Sequence, residues 1–457
     1  MMAHDLLLLL PEIVVLLAAV GALVFEMLLK PRSALVIVIV GLLIAAVLSL
    51  RLIGMNTTIF GGTLRVDDLT VWAQLILLPS TVLSVLLARH ELRNTDREGA
   101  VYSLFCLATL GALLLAGAGD IMILVLGVLL SALAALALVA YPRNQTATEA
   151  SMKFFVFASV TSSVMIFGLT YWYGATGSTL LYELSRLDKA PLAGAIGLMA
   201  VITGLGYKAS LVPFHFWVPD AYDGAPVSVA AYLSVVPKIG VIFALAQIVR
   251  DLPFATDWTS IIAALCVVTM TYGNLAALAQ QNMVRLLAYS SIAQSGYFLL
   301  GLIAVGSSAL ALKSMIVFAA AYAAMNLGAF AIVLATGRHL DQFQSLGRLR
   351  PAIGIAMVIF LLSLVGIPPL AGFVGKFLLF GAAMDAGFTW LAIIAVINSI
   401  LSLAIYLRII VAMYRKPNSA QVEMAPPMPL VKTVLSVVFI LILSIGFGAQ
   451  LLLAKLV

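Results

Sequence analysis

Three lysines lie inside runs that are otherwise apolar: Lys208 in GLGYKASLVP, Lys238 in SVVPKIGVIF and Lys376 in GIPPLAGFVGKFLLF. An ionisable side chain at the depth of a bilayer costs about 2.5–3.5 kcal/mol on insertion scales, so it usually faces the protein interior or a wet cavity. Burial also disfavours the charged ammonium, so a buried lysine can exchange its proton at physiological pH. We therefore predict a proton path through these three lysines. The alternative is that each ammonium snorkels to the membrane surface.

The three lysines lie in or near helices that the sequence interrupts. A seventh predicted span over 191–211 runs into LVPFHFWVPDAYDGAP, with a half-helix over 214–222, and a twelfth over 352–383 is interrupted at Pro368 and Pro369. Unwound backbone at membrane depth must line a cavity or be buried in protein, and paired broken helices indicate an ion or substrate site. The two breaks are five spans apart. This spacing predicts two inverted repeats of five helices each.

Three further ionisable groups are candidates for roles beside the lysines. His215 lies in the first break, where it is either a proton relay or a structural histidine that caps the broken helix. Lys153 begins the sixth span with Glu149 four residues earlier, which is either part of the path or an ordinary surface ion pair. Glu12 follows Pro11 inside the first span, and we expect it to meet a partner subunit or a neighbouring helix.

The composition is that of a polytopic membrane protein. The chain has 457 residues, of which 63% are hydrophobic and 10% are charged, whereas soluble domains carry about 25% charged residues. Runs of about 20 apolar residues predict an all-α fold with about 14 transmembrane helices and broken helices 7 and 12. We expect one transmembrane domain over 1–457: a three-helix segment (1–98), a first repeat (99–250), a second, inverted repeat (258–414) and a last helix (430–454).

The loops predict an orientation. Basic residues are more numerous in one set of alternate loops, which places both termini on the outer face of the membrane. The first apolar run is too long for the core of a cleavable signal. The segment RHLDQFQSLGRLRP has apolar residues at a spacing of three, which predicts an amphipathic helix lying on the cytoplasmic face.

Several classes of function lack support in the sequence. The two cysteines, Cys106 and Cys266, have no metal-ligand spacing, which disfavours a zinc site, a cluster or a disulfide framework. No phosphate-binding glycine motif or nicotinamide fingerprint is present. The net charge of +6 comes from scattered basic residues rather than a run, so nucleic acid is not expected as a partner. We expect no cofactor and no metal on this chain.

Long stretches of the chain resemble a known family. TGLGYKASLVPFHFWVPDAYDGAPVSVAAYLSVVPKIG, GNLAALAQQNMVRLLAYSSIAQSGY, AAYAAMNLGAFAIV, SLVGIPPLAGFVGKFLLF and NSILSLAIYLRIIVAMY are similar to the antiporter-like membrane subunits of respiratory complex I, the proton-pumping NADH:quinone oxidoreductase. The opening LLLLLPEIVVLL, and an end just after span fourteen where the larger sister subunit would continue into a lateral helix, look most like subunit N.

The resemblance implies a subunit of an enzyme that translocates protons without a redox centre of its own. The flavin mononucleotide, iron–sulfur clusters and quinone are expected on partner subunits, and the partners are other membrane subunits, including sister antiporter-like ones, in a bacterial inner membrane. By the same resemblance, Lys208, Lys238 and Lys376 match the lysines of helices 7, 8 and 12. His215 matches the histidine after the first break, and Lys153 the lysine opening helix 6.

Two positions depart from the family's pattern. The fifth helix of relatives normally carries a glutamate in a pattern like LGLEL, but here the stretch reads LGVLL and Leu129 takes the place of the carboxylate. Many relatives have a histidine where Gln294 stands in SSIAQSGY. The loss of the carboxylate leaves a non-pumping structural subunit as an alternative. A subunit of a multi-subunit cation/proton antiporter, a class that the resemblance implies has the same fold, is the other alternative.

Overall fold

The computed structural model describes residues 2–28, 32–92, 97–253, 258–416 and 429–455. The chain forms nineteen α-helices, numbered here in chain order: α1 Met2–Leu8, α2 Leu10–Leu28, α3 Arg32–Leu50, α4 Asp68–Leu92, α5 Glu98–Ala116, α6 Ile121–Ala140, α7 Gln145–Thr176, α8 Pro191–Ala209, α9 Trp217–Gly224, α10 Val227–Val249, α11 Trp258–Leu278, α12 Met283–Ile303, α13 Ala311–Thr336, α14 Leu346–Leu349, α15 Pro351–Val365, α16 Ala371–Asp385, α17 Thr389–Tyr414, α18 Pro429–Phe447 and α19 Ala449–Lys455.

Among the described residues, thirteen of these helices are long and apolar enough to cross a membrane. The predicted twelfth span is divided between α15 and α16, which have 15 residues each and are too short to count singly. A half-helix of 15 residues rises only about 22 Å, less than the hydrocarbon core. The count reaches fourteen if the bent pair formed by Leu340–Leu349 and α15 is taken as one span. The prediction of an all-α polytopic membrane protein is confirmed.

The structure adds a small hairpin that the apolar pattern did not predict. Strands β1 (Thr57–Ile59) and β2 (Leu64–Val66) pair antiparallel, with Thr57 opposite Val66. The turn between them holds a short 3-10 helix, Phe60–Gly62. Three-residue strands between two long helices leave no periodic signal in the sequence, because one apolar alternation is all they contain.

The prediction of one amphipathic helix over RHLDQFQSLGRLRP is wrong. A 3-10 helix, Leu340–Phe343, and the single turn α14 replace it, separated by Ser345 with a φ of 64°. The segment then bends by 120° into α15. The spacing of three that suggested a surface helix is also the period of 3-10 turns, in which residues i and i+3 eclipse.

The helices divide into a buried centre and an apolar periphery. All of the most apolar window of α10 is buried, and 94% of the corresponding windows of α12 and α13. The first two spans and α18 are only 28% buried, and most of their exposed large side chains are Leu, Val, Ile and Phe. Because lipid is as apolar as these side chains, the periphery suits the bilayer. The lysines of the predicted path lie on or against the buried centre.

Candidate functional site: buried lysines at two helix breaks

The first break separates α8 from α9. Helix α8 ends at Ala209, and Ser210 adopts a left-handed conformation with a φ of 66°. Two side chains from the surroundings bind backbone groups at the break: the Val212 N–H donates to Thr269 Oγ1 at 3.1 Å, and Trp217 Nε1 donates to the Tyr207 carbonyl at 2.8 Å. These contacts satisfy backbone groups that the interrupted helix leaves open.

Lys208 lies in the last turn of α8 and is only 3% exposed. The carboxyl end of a helix carries a partial negative charge, so this position favours an ammonium. No side chain of the described residues forms a hydrogen bond or ion pair with the Lys208 ammonium. Lys208 is therefore a buried cation whose surroundings offer a helix end and no fixed counter-charge.

The second break repeats the backbone geometry of the first. Helix α15 ends at Val365, and Gly366 is left-handed with a φ of 95°. In both breaks a proline stands three residues after the left-handed residue, Pro213 in the first and Pro369 in the second. This match supports the prediction of two repeats, with broken helices 7 and 12 in corresponding places.

Lys376 is held by the carbonyl groups of this second break. Lys376 is 2% exposed. Its Nζ donates to the Leu364 carbonyl at 2.9 Å and to the Val365 carbonyl at 3.0 Å. A third contact goes to Ser399 Oγ at 3.3 Å, and the ring centroid of Tyr297 lies 3.9 Å from Nζ. Helix-end carbonyls and an aromatic face both stabilise a cation.

A close approach of two backbones at the second break places Lys376. A Cβ atom on Gly372 would lie 1.7 Å from the Ser363 carbonyl oxygen, so only glycine fits there. The Gly372 N–H donates to Ser363 Oγ at 3.0 Å. The start of α16 thereby packs on the end of α15, which brings Lys376 on α16 to the last carbonyls of α15.

Lys238 lies on the fully enclosed helix α10 and is 1% exposed. Its Nζ donates to both the carbonyl and the hydroxyl of Ser291 on α12, each at 2.9 Å. A charged lysine at this depth needs such acceptors, because an unpaired buried cation is costly. These two hydrogen bonds connect Lys238 on α10 to α12.

Helix α12 connects the surroundings of Lys238 and Lys376. Gln294, one turn after Ser291, donates from Nε2 to the Leu364 carbonyl at 3.1 Å, the same oxygen that accepts from Lys376. Residues three apart share one face of a helix. Polar side chains on one face of α12 therefore reach Lys238 directly and Lys376 through the shared Leu364 carbonyl. The sequence showed these groups in SSIAQSGY, but it gave no sign that Ser291 and Tyr297 contact the lysines.

His215 is buried in the first break, 2% exposed, between aromatic rings. The ring centroids of Phe216 and Tyr272 each lie 4.5 Å from its own. The structure thus places His215 with the first break, as the sequence predicted. Whether it relays protons stays a prediction.

Lys153 and Glu149 lie apart from the buried lysines. The Lys153 ammonium is bound by Glu149 at 2.7 Å and by Asp220 at 2.8 Å, and its side chain is 44% exposed. Asp220 also pairs with Arg285 at 2.8 Å. The pair is therefore part of a partly exposed network around Asp220 in the first turn of α9, as an ordinary surface ion pair would be. A role of either residue in proton transfer stays a prediction.

Leu129 lies on α6, at the edge of an apolar groove of about 250 Å³ between α6 and α7. Its side chain is 40% exposed. The only polar side chains of the groove are Ser159, Ser162 and Ser163 on α7. No carboxylate lines this groove, so the described part of the chain supplies no acidic group where relatives are expected to carry one.

Metal binding finds no support in the described residues. They contain no group of three or more His, Cys, Asp or Glu side chains placed to hold a metal ion. Cys106 and Cys266 are both buried, and neither forms a disulfide with a described residue.

The comparison with known proteins decides the family. The family model of the transmembrane region of NADH:quinone oxidoreductases and Mrp antiporters matches residues 118–402, which contain both breaks and all three buried lysines. The chain belongs to this family.

Relatives named subunit N are similar to this antiporter-like chain over most of its length. NADH-quinone oxidoreductase subunit N of Mycobacterium sp. (strain JLS) is 38% identical over 372 residues, covering 80% of this chain and 79% of that protein. F(420)H(2) dehydrogenase subunit N of Methanosarcina mazei is 35% identical over 444 residues and 90% of both chains. A chain of respiratory complex I from Thermus thermophilus with bound aureothin superimposes with a TM-score of 0.86 at 29% identity, covering 98% of this chain and 99% of that one.

Proposed function

We propose that this chain is a proton-translocating membrane subunit of an NADH:quinone oxidoreductase, and that protons pass along Lys208, Lys238 and Lys376. The proposal is supported above all by the contacts around α12, where Lys238 binds Ser291 and Lys376 shares the Leu364 carbonyl with Gln294. These groups form a polar link inside an apolar bundle.

The driving force is quinone reduction in other subunits. Moving one charge against 100 mV costs about 2.3 kcal/mol, which corresponds to a change of roughly 1.7 in the pKa of one group. A small displacement of a break relative to α12 changes how many acceptors surround an ammonium. A displacement that changes the pKa of the ammonium by this amount can therefore drive the uptake or release of one proton.

The redox groups belong to partners in this proposal. The flavin, the iron–sulfur clusters and the quinone are held by other subunits, and this chain lies beside sister antiporter-like subunits in a bacterial inner membrane with both termini outside. Relatives are named after NADH and after F(420)H(2) at similar identity. The electron donor is accordingly a property of the partners.

The test replaces Lys238 in the assembled complex. In Lys238→Met, quinone reduction should continue while the pH gradient formed by reconstituted vesicles falls to the level seen with an uncoupler. The matched control is Lys432→Met, since Lys432 on α18 is exposed, and it should pump normally. An assembled Lys238→Met complex with a normal gradient would remove this lysine from the path.

Two other functions are distinguished by the same preparation. The place of Leu129 in an apolar groove favours a structural subunit that does not pump, and in that case all three lysine variants would leave the gradient unchanged. The family also contains Mrp antiporters. Sodium-dependent proton exchange without any quinone reductase activity would identify the chain as a subunit of that class.

A further inference from the structure

A second buried ionisable site lies away from the three buried lysines, between α2 and α4. Glu12 on α2 is 8% exposed and Gln74 on α4 is 2% exposed. Gln74 Nε2 donates to Glu12 Oε1 at 2.7 Å. The sequence predicted either a partner subunit or a neighbouring helix as the contact of Glu12, and the structure provides the neighbouring helix.

The two remaining oxygens of this pair indicate where a proton lies. Glu12 Oε2 and Gln74 Oε1 are both fully buried, and neither has a hydrogen-bond partner. An ionised carboxylate would leave both as unsatisfied acceptors, at a cost of about 1–3 kcal/mol for each such group. A single proton on Glu12 Oε2 changes this, because the acid then donates to Gln74 Oε1 while accepting from Gln74 Nε2.

We propose that Glu12 and Gln74 form a proton-binding site in the N-terminal three-helix segment, in which Glu12 carries a proton at neutral pH and donates it in a hydrogen bond to Gln74. The site is separate from the buried lysines and needs no cation from a neighbouring subunit.

Among the described residues, the helices that pack on α2 place no counter-charge beside Glu12. Helix α3 has no ionisable residue between Ser33 and Leu50. The ionisable residues of α5 lie in its first half, which packs on the other end of α2, where Glu26 accepts from the Gly99 N–H at 2.6 Å. Within the described residues, no ion pair involves Glu12.

The charged groups nearest along the chain lie towards the hairpin and are engaged elsewhere. Asp5 on α1 accepts from the Phe60 N–H at 3.2 Å. Asp67, at the start of α4, pairs with Arg250 at 2.5 Å. Burial would raise the pKa of Asp67, but Arg250 and hydrogen bonds from Thr70 outweigh it and lower that pKa below its usual value.

A polar face of α4 leads from Asp67 to the site. Asp67, Thr70 and Gln74 follow one another at spacings of three and four, which places them on one side of the helix. Thr70 Oγ1 donates to Asp67 Oδ1 at 2.9 Å. This row of polar side chains joins the site to the end of α4 that follows the hairpin, which the distribution of basic loops predicts to be the outer end.

Infrared spectroscopy of the intact complex tests the proposal. A protonated carboxylic acid has a C=O band well separated from the bands of carboxylates, and it shifts in heavy water. Glu12→Gln should remove one such band at neutral pH. The matched control is Glu26→Gln on the same helix, which should leave the acid band of Glu12 in place.

A second variant covers the case in which Glu12→Gln does not assemble. Gln74→Leu removes the acceptor, so the acid band of Glu12 should persist and move to higher frequency. The proposal is overturned if Glu12→Gln removes carboxylate bands only, or if Gln74→Leu leaves the acid bands unmoved. Neither readout depends on proton pumping, so the proposed function is tested separately.

Discussion

The two helix breaks share a backbone geometry but treat their lysines differently. In the second break, Lys376 is bound by two carbonyls, a hydroxyl and an aromatic face. In the first, Lys208 lies in the last turn of α8 with no bound partner among the described side chains. The lysine precedes the break in α8 and follows it in α16. A common fold thus produces one saturated ammonium site and one open one.

The difference indicates how a proton can be passed along. A saturated site holds the charged ammonium well, and an open site holds it poorly, because a buried charge without partners is costly. If the surroundings of the two breaks alternate between these conditions, protons move between them. The following substitutions test that contrast.

Lys376→Met should have the largest effect. It should abolish proton pumping and also destabilise the subunit by about 1–3 kcal/mol, because the Val365 carbonyl loses its buried donor and the Leu364 carbonyl keeps only Gln294. Pumping is measured in vesicles during quinone reduction, and stability by the thermal midpoint of the purified complex. An unchanged thermal midpoint would show that water replaces the ammonium at no cost.

Lys208→Met should abolish pumping without loss of stability. No hydrogen bond of this side chain is lost, and removing an uncompensated buried charge is neutral or favourable. The same two measurements apply, with the exposed Lys432→Met as the control. A drop in the thermal midpoint as large as that of Lys376→Met would mean that Lys208 has a partner in the assembled complex, and the contrast between the breaks would disappear.

Gln294→Leu should have an intermediate effect. The Leu364 carbonyl keeps Lys376 as a donor, so stability should fall by only about 1 kcal/mol, the usual net value of one hydrogen bond. Pumping should be reduced rather than abolished, because one group of the α12 link is lost. Gln294→His, which keeps a donor, should pump better than Gln294→Leu; equal rates would exclude a role for the hydrogen bond.

Leu129→Glu should have the smallest effect. The side chain is 40% exposed at a groove that contains three serines, so a carboxyl group there can accept hydrogen bonds from their hydroxyls. The complex should assemble, as judged by co-purification of its subunits, and pumping should be at least that of the parent. A complex that fails to assemble would show that the groove is covered by an apolar surface.

Much of the architecture was readable from the sequence because the bilayer imposes it. Apolar runs of the required length predicted the helices, and proline and glycine predicted both breaks to within a few residues. The sequence missed the hairpin of β1 and β2 and misjudged the segment around α14. These elements are only three or four residues long, so their apolar residues show no recognisable period. The three lysines were found because a charge in an apolar run is rare.

The amino-acid sequence by itself determined that this protein crosses the membrane many times, that two of its helices are broken, and that Lys208, Lys238 and Lys376 lie within apolar runs. Only the tertiary structure decided that Lys376 is saturated while Lys208 is open, that α12 links two of the lysines, and that Glu12 meets Gln74. The physical reason is that insertion into the membrane depends on the length of each apolar run, which can be read directly from the sequence. Hydrogen-bond partners come from helices far apart in sequence, and which acceptor reaches which donor depends on how those helices pack.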